Sequence, residues 1–242
     1  MEVHHTHPAS GGIRKKWTHY FWEFLMLFLA VFCGFLAEYQ LEHVIEHNKE
    51  KEYMRSMVED LAQDTTEINK ANTTIIAQDK GLDSLLDLLQ SPISKNKNVL
   101  KKLYELHYYN MGGEPAFFSQ RTISQLKNAG GLRLVRHKNV ADSITLYDTK
   151  LQHLNAIVKS YDESTTDMGK EGYAIFDNQY IRHDFESESI SLLTYSAAII
   201  RHYANCVFMV QVVDGYYSEF LRRQKNLAIA LLELIKREYH LK

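Results

Sequence analysis

The sequence is poor in the residues that interrupt helices and in those that cross-link chains. Its 242 residues include 3 prolines, 11 glycines and 2 cysteines. So few breakers exclude a many-turned β fold and favour long helices. Cys33 lies in an apolar run and Cys206 in a helical pattern far down the chain. A bridge between them would join bilayer interior to soluble domain, so none is expected, and both read as small buried hydrophobes. The net charge of -2 provides no basic field, so no nucleic-acid partner is expected. Also missing are a Gly-rich phosphate loop, Cys-x-x-Cys, His-Glu-x-x-His and Gly-x-Ser-x-Gly. His107, His137, His153, His183 and His202 stand singly. The chain is expected not to be an enzyme, and no cofactor is implied.

The most prominent stretch present is Phe24–Ala37, an unbroken apolar run. Trp17, Tyr20, Phe21 and Trp22 extend it on one side and Tyr39 closes it on the other. As a helix, 17–39 rises about 33 Å, enough to cross a bilayer, with aromatic residues at both interfaces. A cleavage after Ala37 would place Phe35 at the -3 position, where a small residue belongs. Position 33 follows Phe32, which does not suit a lipoprotein site. The run is therefore expected to be a permanent membrane anchor. Arg14, Lys15 and Lys16 precede it, whereas Glu38, Glu42 and Glu46 follow. The positive side stays in the cytoplasm, which puts the body on the outer face: the periplasm, if the cell is Gram-negative.

Glu23 interrupts the apolar run near its cytoplasmic end. One reading takes its carboxyl to the headgroup layer. The other follows the stripe Glu23, Leu27, Ala30, Gly34 and Ala37, spaced by three and four. Ala30 and Gly34 form a small-xxx-small pair that lets helices approach closely, and the carboxyl on that face points at a partner. His4, His5 and His7 are a weak metal candidate in a tail of small and polar residues, so no metal site is assigned.

Beyond the anchor the reading is all-α: a transmembrane helix continues into a stalk and an extracytoplasmic helical bundle. The divisions are a cytoplasmic tail at 1–16, a membrane helix at 17–39 and a bundle domain at 40–242. Met54, Met57, Leu61, Thr65, Ile68, Ala71, Ile75, Leu82, Leu86 and Leu89 form a heptad-like seam, with Glu50, Asp60 and Asp64 among the solvated positions. Ser91-Pro92 and Asn96 mark the loop that ends this helix. A shorter helix is expected at 99–109, then one at 121–128 with Ser119 as N-cap. A further helix is expected at about 140–160, with 164–172 as a loop carrying two glycines. The last helix runs from about Ile190 to Tyr239, broadly apolar over 195–213 and hence central. Leu227–Ile235 either returns to the membrane surface or packs within the bundle or against another subunit. The many tyrosines suit either a pocket or a core whose hydroxyls reach the surface.

Two stretches resemble a family. They are Tyr20-Phe-Trp-Glu-Phe-Leu followed by Tyr53-Met-Arg-Ser-Met-Val-Glu-Asp-Leu61, and Ser124-Gln-Leu-Lys-Asn-Ala-Gly-Gly-Leu-Arg-Leu-Val-Arg-His-Lys-Asn-Val140. Together they are similar to uncharacterised Bacteroidota single-pass inner-membrane proteins with a helical periplasmic domain. The resemblance covers the anchor and about half the body; the histidine-rich tail and the doubled glycine depart from it. It implies an envelope location and no activity. In physical terms Gly130 or Gly131 supplies a left-handed turn, after which Leu132, Leu134 and Val135 drop into the bundle while Arg133 and Arg136 stay outside.

Three functions are compatible with these features. The leading one is a non-enzymatic envelope component that assembles through its membrane helix and helical body. Its partners would be the lipid bilayer and either a second copy or other membrane subunits. The others are a periplasmic ligand- or stress-sensing module and an accessory subunit of an ion- or proton-conducting assembly.

Overall fold

Buried residues recur at alternating steps of three and four along three long helices, and this repeat builds the fold. The computed structural model describes residues 13–90, 92–112, 115–128, 130–183, 185 and 189–241. These residues form five α-helices and no strand: α1 Ile13–Gln90, α2 Lys97–Tyr109, α3 Arg121–Asn128, α4 Lys138–Gly172 and α5 Ala197–Glu238. The protein is all-helical, as its scarcity of breakers implies. The chain divides into two units, Met1–Lys51 and Glu52–Lys242, and α1 contributes to both. In the first unit α1 is long and apolar enough to cross a membrane, and none of its most apolar window is buried. His4, His5 and His7 lie outside the described residues.

In the second unit α1 buries Met54, Met57, Leu61, Asp64, Ile68 and Ala71, and the same rhythm continues through Ile75, Gln78, Leu82, Leu85 and Leu89. The seam differs from the expected one where Asp64 replaces Thr65 and Leu85 replaces Leu86. Asp60 and Asp64, expected in solvent, are 3% and 1% exposed, and Glu50 is buried too. α4 repeats the rhythm from Val140 to Gly172, and α5 from Ile200 to Ile235. Tyr147 bonds Asp64 and Tyr161 bonds Gln78, both at a separation of 83 residues, so α4 runs parallel to α1. Bonds of α5 to α1 join Lys225 to Asn69, Ser218 to Asn72 and Gln211 to Asp83, so α5 runs antiparallel.

Two parallel helices in succession require a return path, and residues 91–137 supply it. Asn96 caps α2, its side chain accepting the Asn98 N–H. The return column passes Gln78, whose amide donates to the Asn110 carbonyl, and ends at a left-handed Gly130 (φ 66°). Gly131 is buried so closely that a Cβ there would lie 3.1 Å from Leu126 and 3.4 Å from the Tyr53 ring. Leu132 packs on the core as expected, Val135 is buried, Leu134 is half-buried, and Arg133 and Arg136 are exposed.

Several local expectations are corrected. The stretch 164–172 is not a loop: α4 continues to Gly172, because Tyr161, Thr165 and Met168 keep the buried repeat going. Gly172 is required there, since a Cβ would overlap the His107 ring. α5 begins at Ala197 rather than near Ile190, and Leu193 instead donates its N–H to the Ile175 carbonyl. Within the broadly apolar 195–213 stretch, Ile199, Phe208 and Met209 face outward, so α5 is not surrounded. The C-terminal stretch packs inside, burying Ala228, Leu231 and Ile235. Tyr104, Tyr147, Tyr161, Tyr203 and Tyr217 are core residues, whereas Tyr108, Tyr109, Tyr173, Tyr195 and Tyr216 are exposed. Both cysteines are free, and Cys206 is only half-buried.

The two kinds of helix glycine should behave oppositely. Gly172→Ala must displace His107 and should cost ~1–3 kcal/mol. A Cβ at Gly215 meets nothing within 4 Å, so Gly215→Ala should be neutral or stabilise by up to ~1 kcal/mol. Thermal unfolding of both variants measures the contrast.

Candidate functional site

Two sets of residues are candidates for a functional role, one in each unit. In the first unit Phe24, Phe28 and Phe32 stack at one-turn intervals, with ring centroids 6.3 and 5.9 Å apart. At 3.6 residues per turn these rings lie roughly 140° round the helix from Glu23, Leu27, Ala30, Gly34 and Ala37. The helix thus has a bulky aromatic face and, nearly opposite, a face of small residues headed by a carboxylate. Every member of the small-residue face is exposed, and a Cβ at Gly34 would meet nothing within 4 Å. Glu23 lies 3.6 Å from His19 Nδ1, one turn earlier on the same face.

The second unit buries a series of polar groups that its sequence pattern does not announce. The Asp60 carboxylate accepts the Thr122 N–H (3.1 Å) and an Arg121 guanidinium bond (2.9 Å). The neighbouring Asp64 accepts the Ser119 N–H at 2.8 Å and the Tyr147 hydroxyl at 2.6 Å. An α1 carboxylate therefore satisfies the open N–H groups at the start of α3, a role expected of the Ser119 side chain. Burial raises the Asp64 pKa, opposed by the bonds from Tyr147 and Ser119. Further along α1, Tyr161 donates to Gln78 Oε1 at 2.7 Å, and Gln78 in turn donates to the Asn110 carbonyl at 3.2 Å.

The Gln78 layer divides the core. One apolar cluster takes α1 residues up to Ile75, α4 residues up to Leu154 and α5 residues from Tyr217 onward. The other takes α1 from Leu82, α4 at Met168 and α5 up to Val210. Between them lie Gln78, Tyr161, Thr165 and Asp214. Asp214 is fully buried, and among the described residues neither carboxyl oxygen has a hydrogen-bond partner. Burial, then the Asp79 carboxylate, push its pKa up to about 7. In the second cluster His107 stacks on Phe176 at 4.1 Å, and its Nδ1 lies 2.7 Å from the Tyr203 hydroxyl. Burial holds its pKa down at about 4, so the ring is neutral.

Among the described residues no group of three His, Cys, Asp or Glu side chains is placed to hold a metal ion. Surface clefts occur between α1 and α2 (about 600 Å³, floored by Gln78 and Asn110) and between the end of α1 and the start of α5 (about 670 Å³, with Lys95 and Arg201 at its edge). The bundle corner Gly130, Gly131, Leu132 and Leu134 is a packed turn and lines neither of these clefts. The chain matches no family model, no curated protein and no solved structure.

The buried polar groups should be costly to cut. Asp60→Ala leaves the Thr122 N–H without an acceptor and should destabilise the bundle by ~1–3 kcal/mol in denaturant unfolding. For His107, the unfolded chain takes up a proton below pH ~6.5 that the folded ring refuses down to about 4. Its contribution to stability is therefore lost as pH falls through that window. His107→Phe should remove that part of the acid sensitivity, measured as the melting-temperature difference between pH 7 and pH 5.

Proposed function

We propose that the protein is a non-enzymatic component of the bacterial envelope, anchored in the inner membrane by residues 17–39. It assembles through the Glu23–Ala37 face with a second copy or with other membrane subunits. The observation that carries this reading is the division of the apolar helix into two faces. Lipid tails accept bulky phenylalanines readily, whereas small residues and a carboxylate are useful where another helix comes close. Gly34 supports it further: a glycine inside a helix is unfavourable by about 1 kcal/mol, and nothing in the chain occupies the space beside it. Arg14, Lys15 and Lys16 ahead of the apolar run support a cytoplasmic N-terminus, with the bundle on the periplasmic side. The resemblance to single-pass Bacteroidota inner-membrane proteins agrees with that location.

The test is the assembly state in native membranes, followed by chemical crosslinking and by native mass measurement. The wild-type chain should form a defined complex. Gly34→Leu should weaken it on the order of tenfold, the equivalent of ~1.4 kcal/mol, and Glu23→Gln should weaken it as well. Phe28→Leu on the opposite face should leave it intact. A wild-type chain that stays monomeric, or complexes that ignore Gly34→Leu, would overturn the reading.

A further inference from the structure

The division between the two apolar clusters is the one level of the bundle core where α5 contributes a side chain with unmet bonding needs. Asp214 occupies a core position of the repeat between Val210 and Tyr217, with no exposed surface. Among the described residues neither of its oxygens accepts a hydrogen bond, although Gln78 and Tyr161 of the same layer bond each other. The charged and titratable groups around it are Asp79 on α1, Tyr161 on α4 and Tyr217 on the next turn of α5, with Asp162 acting on both tyrosines. The electrostatic neighbour that acts on Asp214 is another carboxylate, so every influence on the group opposes its ionisation. Across this level α5 is tied to α1 by Gln211, which donates to Asp83 Oδ1 at 2.7 Å, and by Ser218, 3.3 Å from Asn72 Oδ1, both at the margin of the seam. A break between two apolar clusters, holding one buried acid and bordered by two polar ties, has the construction of a hinge.

We propose that Asp214 is a proton-binding site that controls this hinge: the protonated carboxyl keeps the α1–α5 seam closed, and release of its proton to solvent loosens the seam. The sign follows from burial. When the seam opens, the carboxyl meets water and ionises as an ordinary aspartate; when it closes, it must hold its proton. Rising pH therefore favours opening until the closed state also ionises, at about pH 7. The site answers to proton concentration between the ordinary aspartate range and about pH 7, and it does so whether or not the protein assembles through its N-terminal helix. His107 acts with the opposite sign, because it favours opening in acid, and it packs on Phe176 of the second cluster rather than at this level.

Hydrogen exchange of the full chain in lipid nanodiscs, followed from pH 5 to pH 8, tests the proposal. After correction for intrinsic exchange chemistry, opening of the α5 amides at 210–218 should rise up to tenfold per pH unit and level off near pH 7. Asp214→Asn should abolish the rise. Asp79→Asn removes the neighbouring carboxylate, so the levelling point should move to lower pH. Opening that is flat with pH in the wild-type chain, a rise that survives Asp214→Asn, or a levelling point unmoved by Asp79→Asn would each overturn it.

Discussion

Two tyrosine hydroxyls set the register on which the bundle depends. Tyr147 on α4 donates to Asp64 on α1, and Tyr161 donates to Gln78, at the same separation of 83 residues. A slip of one turn would deprive a buried carboxylate and a buried amide of their tyrosine partners, at ~1–3 kcal/mol each. Apolar seams of Leu, Ile and Val tolerate such slips far more readily, because one aliphatic contact resembles the next. The two bonds therefore select one alignment of α1 against α4. The antiparallel α5 then fits against that pair, its Gln224 amide reaching the Tyr147 carbonyl.

A parallel α1–α4 pair has a structural consequence. The chain must travel back along the bundle between the two helices, and α2, the segment after it and α3 do this as a broken column. Such a column has loose helix ends, and α1 supplies acceptors to them. Asp60 and Asp64 bond N–H groups at and just before the start of α3. Tyr104 performs the same service for the connection from α4 to α5: its hydroxyl accepts the Asp177 N–H and donates to the Ser191 carbonyl, each at 2.8 Å. Side chains from regular helices thus tie down the irregular segments.

The N-terminal unit follows a different rule. Its large apolar residues face outward on every side, so burial within the unit does not distinguish one face from another. What distinguishes them is shape: a ladder of phenylalanine rings on one side and Ala30, Gly34 and Ala37 nearly opposite. In the proposed bilayer setting, a medium as apolar as the helix itself, close packing would replace the hydrophobic effect as the source of association. Steric contrast between faces is then the property that matters.

Much of this was legible in the sequence, because it depends on local periodicity and on a few breakers. The end of α1 near Ser91-Pro92, the limits of α3 and the turn at Gly130-Gly131 all follow from residues near one another in the chain. The fate of 164–172 did not follow, because its two glycines read as a loop until a distant ring, His107, is seen to need the space beside Gly172. Asp60 and Asp64 read as solvated because carboxylates on a helix usually are; they are buried because α3 and Tyr147 bring donors to them from 55 to 83 residues away. By itself the sequence determined the helical class, the apolar N-terminal helix and its two faces, since these need only period and composition. Tertiary structure alone decided which polar groups are paired and that Asp214 is left without a partner among the described residues, because pairing depends on donors that only the folded chain brings together.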